Sequence, residues 1–190
     1  PLFPEDFSDP HAESYKGYKR IATSDYEEPL CTHADHFDTN WAYGTASYSK
    51  GVVILDQLSH IVGQKVIENS LKRYFDEWAY KHPNASDFKR IVEKESGIEL
   101  DWYFEYFVNT TKTIDFSIHE IMGDEKGTQI LLKKGEMPMP VEFNIVLQNG
   151  TVSKYSFISL AFPHTASSRL PFTVTNSALT DDIKNIIRYF

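Results

Sequence analysis

One cysteine, Cys31, stands in 190 residues. No disulfide can form within the chain, and no Cys-rich metal site can be built from it. Cysteine usage therefore assigns no redox compartment, and the localisation is left unknown. No apolar run approaches the roughly 18–20 residues that a membrane-crossing helix requires, so no membrane partner is expected. Excess positive charge is also missing. Nineteen Lys and Arg face 27 Asp and Glu, a formal net charge of -8, which gives no electrostatic ground for binding nucleic acid or an anionic lipid surface. There is no Gly-x-Ser-x-Gly elbow and no glycine-rich phosphate cradle. Nor is there a His-Glu-x-x-His, the helical pair with an intervening base that many zinc hydrolases use. The chain opens Pro1-Leu2-Phe3-Pro4, with neither methionine nor signal peptide, and reads as a cut inside a longer protein.

What is present suffices for a core. Hydrophobic residues make up 41% and aromatics 14%, with 13 Phe and 11 Tyr, which argues against disorder. Residues 1–112 carry 12 Lys and Arg against 19 Asp and Glu, a net of -7, whereas residues 113–190 are nearly balanced at -1. The hydrophobic period changes at the same place.

Residues 1–40 are weakly patterned, with a short helix expected over Ala12–Ala22. Residues 45–110 read as helices. Leu55, Leu58, Ile61 and Val62 fall at 3–4 residue spacing before Gly63, a good stop residue. Ile67, Leu71, Tyr74, Phe75 and Trp78 form a second stripe that must end near His82, ahead of Pro83. Ser86 is expected to cap a third helix carrying Phe88, Ile91 and Val92, closed by Gly97. A fourth spans about Glu99–Val108, with Leu100, Tyr103, Phe104 and Phe107 inward. After Thr113 the period falls to 2, in Ile114–His119, Val141–Ile145 and Val152–Tyr155. Asn149-Gly150 between two alternating runs signals a hairpin. Asp182–Phe190 fits either a helix or a strand. The fold class expected is α+β in two parts, a helical array over 1–112 and a small antiparallel β-sandwich over 113–190.

Two runs carry the functional signal. The first is Tyr48-Ser49-Lys50-Gly51, opening the apolar stretch Val52–Val62. The second, about fifty residues later, is Glu95-Ser96-Gly97-Ile98-Glu99-Leu100-Asp101-Trp102-Tyr103-Phe104. In this order and spacing they resemble the C-terminal half of the catalytic domain of M1-family zinc aminopeptidases, over roughly residues 26–120. Glu28-Pro29-Leu30 and Ala34-Asp35 resemble the family's approach to its tyrosine. The resemblance implies a parent enzyme that removes N-terminal residues from peptide substrates with zinc. It also implies that Tyr48 donates a hydrogen bond to the oxyanion, a role for which a phenol neutral at pH 7 is suited. Tyr43 and Tyr26 are nearby candidates that the motif spacing does not favour. Lys50 is expected to pair with a carboxylate, and Gly51 to permit close packing. The aromatic run Trp102–Phe107 reads as helix core.

Rival chemistry is weak. His33 and His36 are i and i+3 in a loop-like stretch, with no glutamate placed as a base. Cys31 lies near His33 but in no thiol-protease signature. The family's zinc ligands, its general-base glutamate and its substrate-amine motif would all precede Pro1. The chain alone is thus expected to hold no zinc, to be inactive, and to self-associate through an apolar face near Tyr48. Two other readings stand beside this one: a non-catalytic M1-like scaffold, and a protein-binding module of helices with a β-sandwich.

Overall fold

The computed structural model describes residues 9–124, 127–134, 136–146, 152–157 and 169–174. The chain divides into two compact units, Pro1–Lys112 and Thr113–Phe190.

The first unit is helical. Helix α1 spans Ala12–Ala22, the range that the sequence suggests. A loop with one 3-10 turn, Ala34–His36, leads to a long helical run. That run comprises α2 (Asn40–Gly44), a π-helical segment (Thr45–Lys50) and α3 (Gly51–Val62). Thr39 starts it, its hydroxyl accepting from the Ala42 N–H at 3.0 Å. Gly63, at φ 93°, ends α3 and begins α4 (Gln64–Trp78) with no residue between. Such a turn in one residue needs the positive φ that glycine adopts without cost. The buried face of α3 is Val53, Ile54, Gln57 and Leu58; of the expected Leu55, Leu58, Ile61 and Val62 only Leu58 is fully buried. The first turn, Val52–Leu55, is apolar all round, so spacing alone does not choose a face there. The choice falls with Gln57, whose amide donates to the Tyr15 hydroxyl of α1 at 2.6 Å.

Helix α4 stops at Trp78, earlier than Pro83 requires, because Ala79 is extended and Tyr80 turns left-handed at φ 63°. Of its expected stripe only Ile67 is buried, while Leu71 and Phe75 are exposed. Helix α5 (Ala85–Ser96) is capped by Asn84, not by Ser86. The Asn84 side chain accepts from the N–H groups of Ser86 and Asp87, and Asp87 accepts in return from the Asn84 N–H at 3.0 Å. Two orphan donors are thereby satisfied reciprocally; Ser86, already inside the first turn, cannot do this. Gly97 closes α5 in the left-handed region. The Glu93 carboxylate then accepts from the Leu100 N–H at 2.8 Å, and α6 (Asp101–Phe107) follows. Leu100, Tyr103, Phe104 and Phe107 are buried, as their spacing implies. Tyr103 lies against Phe107, ring centroids 4.9 Å apart, and its hydroxyl donates to the Ile54 carbonyl of α3 at 2.6 Å.

The second unit is antiparallel. Strands β1 (Phe116–Asp124), β2 (Gly127–Lys134) and β5 (Arg169–Val174) form a sheet in the order β1-β2-β5. Strand β1 shifts register between Ile118 and Glu120. Pro171, which has no N–H to donate, lies in β5, an outer strand of the described sheet, where that loss is tolerated. Strands β3 (Val141–Val146) and β4 (Val152–Phe157) form a separate two-stranded sheet. Their pairing is what the Asn149-Gly150 signal implies, although that dipeptide itself lies outside the described residues. Phe116, Ile130, Leu132, Met137 and Met139 are buried. The expected β-sandwich is met only as far as two antiparallel sheets, and Asp182–Phe190 lies outside the described residues. No helix among the described residues is long and apolar enough to cross a membrane.

Candidate active-site segment

Tyr48 lies in the π-helical segment Thr45–Lys50. The run Tyr48-Ser49-Lys50-Gly51 therefore does not open a helix, since helical backbone already runs from Asn40. A π turn carries one residue more than an α turn and has poorer bonding geometry; such turns gather at functional positions. Within the segment Thr45, Ala46 and Lys50 are buried, while Tyr48 is 73% exposed. Its phenol makes no hydrogen bond among the described residues, so it is available to a ligand.

Four contacts hold this segment from behind. Lys50, only 1% exposed, donates to Glu27 Oε1 at 2.8 Å and to the Thr110 carbonyl at 3.2 Å. Its ammonium also lies 5.7 Å from the Tyr18 ring centroid, within cation–π range. The expectation that Lys50 meets a carboxylate is met. Glu27 is 23 residues away in sequence; the only signal in the sequence was a lysine in an otherwise apolar setting, which demands a carboxylate without naming it. Ser49 supplies the fourth contact. A Cβ at Gly17 of α1 would stand 2.8 Å from Ser49 Oγ and 3.3 Å from Ser49 Cβ, so α1 packs closely on the segment at residue 17, where an added methyl would have to displace the Ser49 hydroxyl. Gly51, expected to be the close-packing glycine, is not: a Cβ there would meet only the Ala46 carbonyl, at 3.9 Å.

Burial sets the nearby phenols. The Tyr18 hydroxyl is buried without a partner; desolvation first, and the Glu27 charge second, push it well above the usual tyrosine range. Tyr15 is raised as well, by burial and by its hydrogen bond to Asp56 Oδ2 at 2.7 Å. Desolvation raises Tyr103. All three are held neutral, and none presents a hydroxyl to solvent as Tyr48 does. The Tyr15–Asp56–Gln57 network joins residues more than 40 positions apart, and nothing in the sequence pairs them.

The other candidates fall elsewhere. Tyr43 is 41% exposed and packs edge-on against Phe37, and Tyr26 is 54% exposed beside Trp41. The Arg20 guanidinium lies 5.6 Å over the Trp41 ring. His33 and His36 face each other with ring centroids 5.2 Å apart. His33 Nδ1 accepts from the Asp35 N–H, which occupies one ring nitrogen. Among the described residues no group of three His, Cys, Asp or Glu side chains could hold a metal ion, so these residues do not fit a zinc site. Cys31 is exposed, and its backbone N–H donates to the Val108 carbonyl at 3.1 Å.

A sequence profile described as the peptidase family M1 domain matches residues 9–107. Among solved structures, aminopeptidase A of Legionella pneumophila in complex with aspartic acid is similar in fold. It is 13% identical, with a TM-score of 0.51, over 79% of this chain and 17% of that one. The chain thus spans about a sixth of the length of that structure. No curated protein sequence matches it.

Proposed function

The chain belongs to peptidase family M1, and from that premise we propose that it is the C-terminal part of a zinc aminopeptidase, with Tyr48 as its catalytic contribution. In this reading residues 1–112 complete the helical half of the catalytic domain, and residues 113–190 are a small β-sandwich domain. The parent cleaves N-terminal residues from peptides. As water adds to the scissile carbonyl, its oxygen gains negative charge. The Tyr48 phenol donates a hydrogen bond to that oxygen, where a preorganised donor is worth most. Zinc would be held by residues other than those described and would supply a Lewis acid at the scissile carbonyl. By itself the chain would be inactive.

The observation that carries the reading is the contrast within one short segment. Lys50 is almost wholly buried and bonded on three sides, while Tyr48, two residues before it, presents an unbonded phenol to solvent. A tyrosine kept for packing would bury its ring. The test is Tyr48→Phe in the complete parent, assayed on an aminoacyl anilide. Deleting one hydroxyl that acts mainly in the transition state should lower kcat by about 10²–10³, roughly 2.7–4 kcal/mol of barrier, with KM little changed. A variant within about threefold of wild type, at equal zinc content and melting temperature, removes Tyr48 from the mechanism.

A further inference from the structure

We propose that Lys50 and Glu27 are positioning residues for Tyr48: their buried ion pair locks the π-helical register of Thr45–Lys50 and so fixes where the phenol stands. The inference rests on the reading of Tyr48 given above for its catalytic consequence, but not for its structural content.

The segment is a local compromise. A π turn gives up α-helical bonding geometry, and without an external restraint the backbone relaxes toward the α register. The restraint sits at its C-terminal end. The Lys50 ammonium reaches Glu27 Oε1 at 2.8 Å and the Thr110 carbonyl at 3.2 Å, with the Tyr18 ring beyond. Both charged side chains are removed from water, at 1% and 7% exposure. Burying two charges carries a desolvation penalty that an apolar pair of the same volume avoids. Stability alone is therefore a poor reason for the pair, whereas directional bonds give what apolar contact does not: one register. The three partners come from α1, the loop after it and the end of α6, so a single side chain references the segment to three elements. Lys50 and Tyr48 are two residues apart, roughly half a turn around the helix in either the α or the π register. Drawing Lys50 inward turns Tyr48 outward. A one-residue slip of register would carry the phenol roughly 100° around the helix.

A bland structural role would affect the whole unit. A positioning role affects the segment and acts through Tyr48. The test uses Lys50→Met/Glu27→Leu, which keeps volume while removing both charges. In the 190-residue chain, amide hydrogen exchange at residues 45–51 should accelerate at least tenfold, while exchange in α4 and α5 stays within twofold. In the complete enzyme kcat should fall at least tenfold with KM within threefold, and the loss should vanish in a Tyr48→Phe background. Unchanged exchange at 45–51 overturns the proposal, as does a kcat loss equally large with Tyr48→Phe in place. Should Tyr48→Phe leave kcat unchanged, the functional reading fails, and the exchange data alone decide whether the pair holds the register. If the double variant does not fold, Glu27→Gln takes its place. It removes one charge and keeps an acceptor oxygen, so exchange at 45–51 should rise by a smaller factor; no rise in that variant overturns the proposal.

Discussion

Tyr103→Phe should destabilise the chain at neutral pH and cease to do so near pH 11. The wild-type hydroxyl is fully buried and donates to the Ile54 carbonyl at 2.6 Å. Removing it deletes one good buried hydrogen bond and leaves the ring contacts in place, a cost of about 1–1.5 kcal/mol. The pH dependence follows from ionisation. Burial raises the Tyr103 pKa in the folded state, whereas the unfolded chain has a phenol of pKa about 10. The stabilisation is therefore complete below about pH 10 and is lost as pH rises, because the unfolded state alone sheds the proton. At pH 11 that loss is about 1.4 kcal/mol for one phenol, close to the worth of the hydrogen bond. Phenylalanine cannot ionise, so the two stability curves should converge near pH 11. Tyr15 and Tyr18, raised in the same sense, are common to both proteins and cancel in the difference. Urea unfolding of both proteins at intervals from pH 7 to 11 measures it. A difference that stays constant from pH 8 to 11 would refute the reasoning, since the phenol would then ionise alike in both states.

Asn84→Ala should cost about 1 kcal/mol by urea unfolding, because it removes the acceptor for two N–H groups at the start of α5, while Ser86→Ala at the neighbouring position should change stability by only a few tenths. Gly17→Ala should be nearly neutral in melting temperature, the gain of about 1 kcal/mol in helix propensity offsetting contact with Ser49. Gly17→Val adds branched bulk against the same serine and should be clearly destabilising, by about 1–3 kcal/mol.

Legibility in the sequence followed the range of the interactions. Ala12–Ala22, Gly63, Gly97 and the inward residues of α6 were readable because each depends on neighbours within a turn or two. Ser86 and Asn84 are both residues that can cap, and only the reciprocal bond between Asn84 and Asp87 decides for Asn84. Leu71 and Phe75 fit a helical stripe and are nonetheless exposed, since periodicity reports which residues share a face and not whether that face is covered. In α3 the run Val52–Leu55 is apolar at every position and carries no contrast, so spacing places Leu55 inward where Val53 and Ile54 are buried. Tyr48 was singled out by a motif, but its π-helical setting was not readable, and its buried neighbour's partner Glu27 lies beyond any local rule. Those two features arise from tertiary restraint, which a local pattern does not encode.

The π-helical segment also divides one helix into two phases. Each residue of an α-helix advances about 100° around the axis, so the one surplus residue of a π turn rotates all that precedes it relative to all that follows. Trp41 and Tyr43 on α2 and Val53 and Leu58 on α3 are thus out of the phase that α-helical spacing would give, though a single unbroken helical run joins them. Length at 45–50 becomes a variable distinct from composition. Deleting one residue there would let an α turn close over the same arc, so α2 and α3 would keep their relative orientation while Tyr48 lost its π-helical setting.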